Sequence, residues 1–415
     1  MFFYRFRNKF IEIFKNDTKI VSVSMKPKDK SLLVITNHFS SFVRDPIEVL
    51  KKEFKTISVI NPTPYFPKAL SKLKFIPHHY KQAALSQDFN YDNVFVYFPR
   101  FFHLPIEFFR KRMGNSSLRA VLRTIKKNNI SFDIIHAHFT YPSGYVAVKL
   151  KERFNVPVVV TVHGHDIYKL PFKNKFFENK IKYILGNADK VITVSESNFK
   201  IIQKFGFGDK TKIIPNGFDS DRFKVIRKDD ARKELGLLPN KNIVLHVGNL
   251  VEVKNQKNLI LSFNELVKRR NDVLLYIVGG GPLEKELKRL LKKLNLGDKV
   301  FLVGPKPHGE IPLWMNAADV FVLPSYSEGN PTVMFEALGC GLPFIGTKVG
   351  GIPEIISSEE YGFLLDDPKD YETLAKLIDK ALNKKWDKEK ILNYAKNFTW
   401  RRTVEKLLDA YKNIG

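Results

Sequence analysis

Val320-Phe321-Val322-Leu323-Pro324-Ser325-Tyr326-Ser327-Glu328-Gly329-Asn330-Pro331-Thr332-Val333-Met334-Phe335-Glu336-Ala337-Leu338-Gly339 reads as a strand, a polar loop and a helix in immediate succession. Four apolar residues without alternation suit a strand covered on both faces, as in a parallel sheet. Asn330 is a good N-cap, Pro331 suits the first helical position and Gly339 suits the exit. A helix starting there directs the free N–H groups of Thr332 and Val333 into the loop, where they favour an anion such as a phosphate. Glu336 falls one turn below Thr332 on the same face, and Glu328 lies on the loop. Two carboxylates beside a phosphate site would repel the phosphate itself. Their fitting partners are hydroxyls, which donate well to a carboxylate.

Outward from this stretch the same unit recurs. Candidate strands are Leu32–Thr36, Ile57–Ile60, Val94–Phe98, Ile134–His138, Val158–Val162, Val191–Val194 and Lys212–Pro215, then Ile243–Val247, Leu274–Val278, Val300–Val303, Val320–Leu323 and Pro343–Gly346. Two such series separated by helices predict an α/β chain of two doubly wound domains. The break falls in the polar segment Phe218–Asn240. The expected division is 1–217 (with 1–30 a basic aromatic extension), a linker 218–239, a second domain 240–395 and a final helix within 396–415. Thr399 is the N-cap of that helix, and Val404, Leu407, Leu408 and Tyr411 share its apolar face. In open α/β sheets ligands bind beyond the carboxyl ends of the strands, so the following loops hold the candidate sites.

In Gly248-Asn249-Leu250-Val251-Glu252-Val253-Lys254-Asn255, Gly248 permits close backbone approach, Asn255 can cap the next helix, and Lys254 could meet a diphosphate. Gly279-Gly280-Gly281 also permits close approach, but GxGxxG is not met and no dinucleotide fingerprint is read. His136 and His138 end one strand; His163, His165 and Asp166 follow another. Alternate strand residues share a face, so a zinc cluster is one reading, contacts from His163 and Asp166 to a substrate hydroxyl another, and plain strand-end histidines a third. A hydrolase-type HxHxDH would need Asp and His where Ile167 and Tyr168 stand. Asp219-Ser220-Asp221 is a formal DxD but lies between the domains, where a solvated linker is expected.

The chain has 415 residues and one cysteine, Cys340, which excludes an intramolecular disulfide and a thiolate zinc site and fits a reducing cytoplasm. No apolar run is long enough to cross a bilayer, and Arg5, Arg7 and Lys9 interrupt any signal-peptide core. Of the net charge of +26, residues 1–215 carry +21 (37 Lys and Arg against 16 Asp and Glu). A basic half beside a near-neutral half suggests a polyanionic partner for the first half.

Together and in this order these stretches resemble the retaining glycosyltransferases of family 4. Glu328 to Glu336 is similar to that family's E-x7-E motif. Supporting matches are IIPNGFDSDRF (Ile213–Phe223), VGNLVEVKN (Val247–Asn255), VGGGPLE (Val278–Glu284), AADVFVLPS (Ala317–Ser325), GGIPEII (Gly350–Ile356) and the closing FTW (Phe398–Trp400). The resemblance implies a GT-B fold: two Rossmann-like domains facing a cleft, with the last helix crossing back to the first. It implies a nucleotide diphosphate sugar as co-substrate, with no metal and no other cofactor. Glu328 would contact the donor sugar, Glu336 the ribose, and Gly329, Asn330, Pro331, Thr332 and Val333 the sugar and phosphates. Gly248, Asn249 and Gly280 would line the same donor site. Lys254 would neutralise the departing diphosphate, and His163, with Asp166 nearby, would contact the transferred sugar and its acceptor. The family usually has arginine where Asn249 stands, and a glycine-rich first loop where Asn37–Arg44 has none; Arg44 and His138 are acceptor candidates there.

The family's acceptor belongs to the first domain, where the basic charge lies. Phe3, Phe6, Phe10 and Ile13 share a helical face beside Arg5, Arg7, Lys9 and Lys15, and aromatic-basic clusters recur at Phe98–Met113 and Phe172–Tyr183. This composition fits an anionic leaflet and a lipid-linked or cell-surface glycan acceptor at the inner face of the cell membrane. No nucleic-acid motif is present, so no nucleic-acid partner is expected. The competing readings are a nucleotide-sugar epimerase, an inverting transferase, a sugar-nucleotide-binding protein without catalysis, and a histidine-based metal hydrolase.

Overall fold

The computed structural model describes residues 29–65, 85–103, 107–412 and 414. The amphipathic stretch Phe3–Lys15 lies outside the described residues. The chain divides into two compact units: Asn216–Arg402 in one, and in the other the described part of Ser22–Pro215 with Thr403–Gly415.

Sixteen strands are present among the described residues. In the first unit they are β1 Ser31–Ile35, β2 Thr56–Ile60, β3 Thr63–Pro64, β4 Phe89–Tyr91, β5 Val94–Tyr97, β6 Arg100–Phe101, β7 Ile134–His138, β8 Val158–Val162, β9 Lys190–Thr193 and β10 Thr211–Ile213. In the second they are β11 Asn242–Val247, β12 Val273–Val278, β13 Val300–Gly304, β14 Val320–Leu323, β15 Phe344–Thr347 and β16 Gly362–Leu365. All twelve expected strands form. The extra four are short, exposed or glycine-initiated, and their apolar signal is correspondingly weak.

The first unit's main sheet runs β10-β9-β8-β7-β1-β2-β5-β4, parallel except for β4 against β5. The second runs β13-β12-β11-β14-β15-β16, parallel throughout. In each sheet the strand order reverses once beside the first strand: between β1 and β7, and between β11 and β14. Those reversals leave a crevice at the strands' carboxyl ends. The loops after β7, β11 and β14 are therefore where ligand chemistry belongs.

One expectation changes. Residues 218–239 are not a free linker. Phe218 and Phe223 are buried in the second unit's core, and Lys228–Glu234 is a helix. The segment's charges face outward while two phenylalanines anchor it, and average polarity conceals so sparse an anchor. The closing helix, Trp400–Lys412, carries Val404, Leu407, Ala410 and Tyr411 into the first unit's core. Those four positions are the apolar face whose burial drives the docking. No described helix is long and apolar enough to cross a membrane.

Candidate active site

At the second unit's reversal, the loop after β14 carries Glu328 and the helix Thr332–Gly339 carries Glu336. Glu328 Oε1 accepts from Lys254 Nζ at 2.6 Å and from Ser325 Oγ at 2.6 Å. An ammonium has three donors, so Lys254 keeps capacity for a second anion. The Gly248–Lys254 loop is held from behind. Gln256 Nε2 donates to Asn249 O at 2.8 Å and to His246 Nε2 at 3.1 Å, while His246 Nδ1 donates to Val322 O at 2.9 Å. Burial pushes the His246 pKa down to about 4, so the ring is neutral and able to accept from Gln256. The Asn249 side chain is exposed.

Two glycines are required here. Gly279 has φ +144°, and a Cβ on it would lie 2.0 Å from Gly248 O. Gly350 has φ +55°, and a Cβ would lie 1.7 Å from Glu328 O. Each lets a neighbouring loop seat directly on the site's backbone. Gly280 serves through its carbonyl, which accepts from Leu250 N at 3.0 Å.

Asn330 does not cap the helix. Pro331 occupies the N-cap position, and Asn330 accepts two bonds from Asn216 instead: Asn216 N to Asn330 Oδ1 at 2.9 Å and Asn216 Nδ2 to Asn330 O at 2.8 Å. Asn255 stands at the N-cap of Gln256–Val267, but its side chain makes no capping bond. It adopts a left-handed conformation and donates to Pro324 O and Pro368 O, tying three loops together. In both cases a long-range partner takes the polar group that a local pattern had assigned to a helix end.

The first unit presents a column of imidazoles. His136 and His138 stack with centroids 4.5 Å apart, and His138 and His163 follow at 5.2 Å. His138 Nδ1 meets His163 Nε2 at 2.9 Å, His136 Nε2 meets Thr161 Oγ1 at 2.7 Å, and Tyr411 Oη meets His136 Nδ1 at 2.6 Å. Burial drives all three histidines down, His138 to about 3 and the other two well below the usual range; adjacent imidazoles add to the effect at His136 and His163. Phe42 and Phe139 lie against the His163 ring, each at 4.7 Å, and His163 Nδ1 is buried with no partner among the described residues.

Two candidates change character. His138 is buried, and its Nδ1 lies 2.9 Å from His163 Nε2, so it supports that ring. Asp166 is also buried; its oxygens accept from the amides of Thr140, His163 and Gly164 at 2.8, 3.1 and 2.9 Å. Burial raises its pKa and the three amides oppose that rise. It is a clamp on the His163 loop. Arg44 donates to Asp45 Oδ1 at 3.1 Å and remains 43% exposed. Among the described residues no three of His, Cys, Asp and Glu are placed to hold a metal.

Sequence reasoning missed Phe42, Phe139, Gln256 and, beside Glu336, His308 and Arg222. His308 Nε2 lies 2.9 Å from Glu336 Oε1, and Arg222 Nη1 lies 2.8 Å from His308 Nδ1. For His308, Arg222, Phe42 and Phe139 only the three-dimensional fold joins such distant positions, so no local signal was available.

Comparison with known proteins matches this arrangement. Residues 227–413 match the family model described as glycosyl transferases group 1, and residues 66–222 match glycosyltransferase family 4. The putative teichuronic acid biosynthesis glycosyltransferase TuaC of Bacillus subtilis is 30% identical over 95% of this chain and 94% of its own length. Among solved structures, sucrose-phosphate synthase from Thermosynechococcus elongatus (TM-score 0.73, 21% identity, 92% of this chain and 98% of that one) shares the fold. So does HepE from Anabaena in complex with UDP (TM-score 0.70, 21% identity, 92% and 100%). The chain is a GT-B glycosyltransferase and belongs to glycosyltransferase family 4.

Proposed function

We propose that this enzyme transfers a sugar, with retention of anomeric configuration, from a nucleoside diphosphate donor to a hydroxyl of a lipid-linked or cell-surface glycan at the cytoplasmic face of the membrane. The observation that carries the donor half is the Lys254–Glu328 pair at the second unit's strand reversal, with Glu336 one turn into the adjoining helix. Lys254 supplies fixed positive charge where a diphosphate leaves, and it acts without reorganising at the moment of reaction. Glu328 and Glu336 offer oxygens to sugar and ribose hydroxyls. HepE bound to UDP and to UDP-glucose supports a nucleotide sugar as donor. No resident metal or other cofactor is part of the proposal.

On the acceptor side, His163 offers a buried nitrogen without a partner among the described residues. TuaC's assignment to teichuronic acid biosynthesis supports a surface polymer or its precursor as acceptor. The +21 of residues 1–215 supports an anionic leaflet, and within the first unit Phe102 and Phe172 are 63% and 65% exposed.

The donor is identified by a thermal-shift screen of sugar nucleotides, followed by NMR of the product's anomeric centre. An inverted product would overturn the retaining assignment. Flotation with anionic and with neutral liposomes tests the membrane surface: recovery with the anionic vesicles alone is expected, and equal recovery with both would defeat it.

A further inference from the structure

Glu336 is a short-range acceptor at the head of a four-residue chain lying entirely within the second unit. Phe218 and Phe223 anchor the turn between them in the core. That turn closes through Phe223 N to Asp219 O at 2.8 Å, and Asp219 Oδ1 accepts from Asp221 N and Arg222 N at 3.0 and 3.2 Å. Asp219 Oδ2 lies 3.3 Å from Arg222 Nη2, so the turn that fixes the backbone also aims the guanidinium. Arg222 Nη1 then reaches His308 Nδ1 at 2.8 Å, and His308 Nε2 reaches Glu336 Oε1 at 2.9 Å. The Phe223 ring lies against the His308 ring, centroids 5.3 Å apart, and restricts its rotation.

One chemical fact sets the direction of the chain. A guanidinium has five donors and no acceptor. His308 Nδ1 must therefore present its lone pair to Arg222, which leaves the ring proton on Nε2, aimed at Glu336. The imidazole has no freedom to choose the other tautomer while Arg222 is in place. Glu336 Oε1 thus receives a hydrogen bond whose polarity is fixed by a cation two residues away in the network. Its Oε2 has no partner among the described residues, and the side chain is only 8% exposed. That oxygen keeps solvent access, so a ligand can reach it, and hydroxyl donors are a fitting complement to the carboxylate.

We propose that Asp219, Arg222 and His308 are positioning residues that hold the Glu336 carboxylate in the orientation that receives the ribose hydroxyls of the donor nucleotide. Asp219 belongs to the DxD triplet, which in this chain serves as the base of a relay. The inference rests on the reading of the second unit as the donor site and names what makes its ribose contact selective. It also assigns the relay to ground-state binding: it tightens nucleotide and donor alike and leaves the chemical step alone.

The test is a cycle between protein and ligand. Isothermal calorimetry measures UDP, GDP and ADP, each beside its 2′-deoxy and 3′-deoxy counterparts, on the wild-type chain, His308→Leu, His308→Gln and Arg222→Met. Glutamine can accept from Arg222 and donate to Glu336, so it is the conservative variant. On wild type, the ribonucleotide that binds is expected to exceed at least one deoxy counterpart by about tenfold, the worth of one hydrogen bond to a charged group. His308→Leu is expected to lose about tenfold for the ribonucleotide while leaving that deoxy counterpart near its wild-type affinity. His308→Gln should restore most of the difference, and Arg222→Met should lose about threefold. Steady-state kinetics should place the loss in KM with kcat held. Equal loss for ribo- and deoxynucleotides in His308→Leu would mean a merely structural role and overturn the inference, as would no loss at all. If wild type binds none of the three, or binds ribo and deoxy forms equally, the donor reading of Glu336 falls and the inference falls with it.

Discussion

Around Glu328 and Glu336 the second unit sets carboxylates against donors that carry positive charge or relay it: Lys254 directly, Arg222 through His308. Around His163 the first unit does the reverse, burying three imidazoles that burial keeps neutral; among the described residues their rings hydrogen-bond to one another, to Thr161 and to Tyr411. A leaving diphosphate needs fixed charge, and charge can be kept only where each ion has a partner. A contact to neutral sugar hydroxyls needs a fixed lone pair or N–H, and a neutral imidazole supplies one more cheaply than an ion does. The two units share an architecture and a site position, and the difference in their electrostatics matches the proposed division between a diphosphate and neutral hydroxyls.

The sharpest way to break that contrast is to remove the charge. Lys254→Ala should lower kcat by about 10²–10³-fold, in the range seen when one preorganised electrostatic contact to the departing group is deleted. It also leaves the Glu328 carboxylate, with its side chain 10% exposed, without its counter-ion. Lys254→Arg should recover part of the rate, because the charge returns with a different geometry. Turnover and donor hydrolysis in the three proteins decide it; activity within a few-fold of wild type in Lys254→Ala would remove Lys254 from the chemistry.

A smaller effect is expected from the neutral side. His163→Ala deletes one polar contact and should cost roughly 10–100-fold in kcat/KM. The nucleoside diphosphate should still bind, since its proposed contacts belong to the second unit. Loss of nucleotide affinity in His163→Ala would contradict the division of labour between the units.

Much of this was legible in the sequence, and what was not has a physical reason. The strand-loop-helix unit at Val320–Gly339 announces itself because backbone periodicity and local capping chemistry are short-range. Glu328, Glu336 and Lys254 are legible for the same reason, lying within strand–loop–helix units whose local pattern is short-range. Asn330 misled, and Asn255 held the N-cap position with its side chain turned elsewhere, because amides that suit a helix cap suit a loop-to-loop tie equally well, and only the fold reveals which partner arrives. His138 and Asp166 looked like ligand contacts because strand-end polarity does not report depth; one supports His163 and the other clamps three amides. His308 and Phe42 carried no signal at all. Their roles exist only through Arg222, Glu336 and His163, each of which is distant in sequence.

A third effect separates the two electrostatic regimes by pH. His136, His138, His163 and His246 all have folded pKa values below the unfolded value near 6.5, His138 at about 3 and His246 at about 4, chiefly through burial. For a depressed pKa the stabilisation is complete above the unfolded value and is lost as pH falls towards the folded one. Stability should therefore hold from pH 8 to about 6.5 and fall on the way to pH 4.5. The slope is about 1.4 kcal/mol per pH unit for each histidine that takes up a proton only on unfolding. Three of the four lie in the first unit, so it should unfold first as acid is added. Hydrogen exchange at pH 5, resolved by segment, is the measurement; earlier exchange in the second unit would reverse the assignment.

The least effect, and the most specific, comes from Tyr411→Phe. The phenol donates to His136 Nδ1 at 2.6 Å from a helix whose apolar face is otherwise kept by the substitution. With the phenol as donor, the His136 proton sits on Nε2, towards Thr161. Removing the hydroxyl leaves a buried acceptor without a partner, and an orphaned lone pair costs less than an orphaned N–H. The loss in denaturant stability should be about 1 kcal/mol, with no change in nucleoside diphosphate affinity. His136 would then be free to exchange tautomers, and its ring ¹⁵N shifts should move from the Nε2–H pattern towards an average. An unchanged spectrum would show that packing alone fixes the ring, and the first unit's column would then be held by shape, without the hydrogen-bond chain that starts at the last helix.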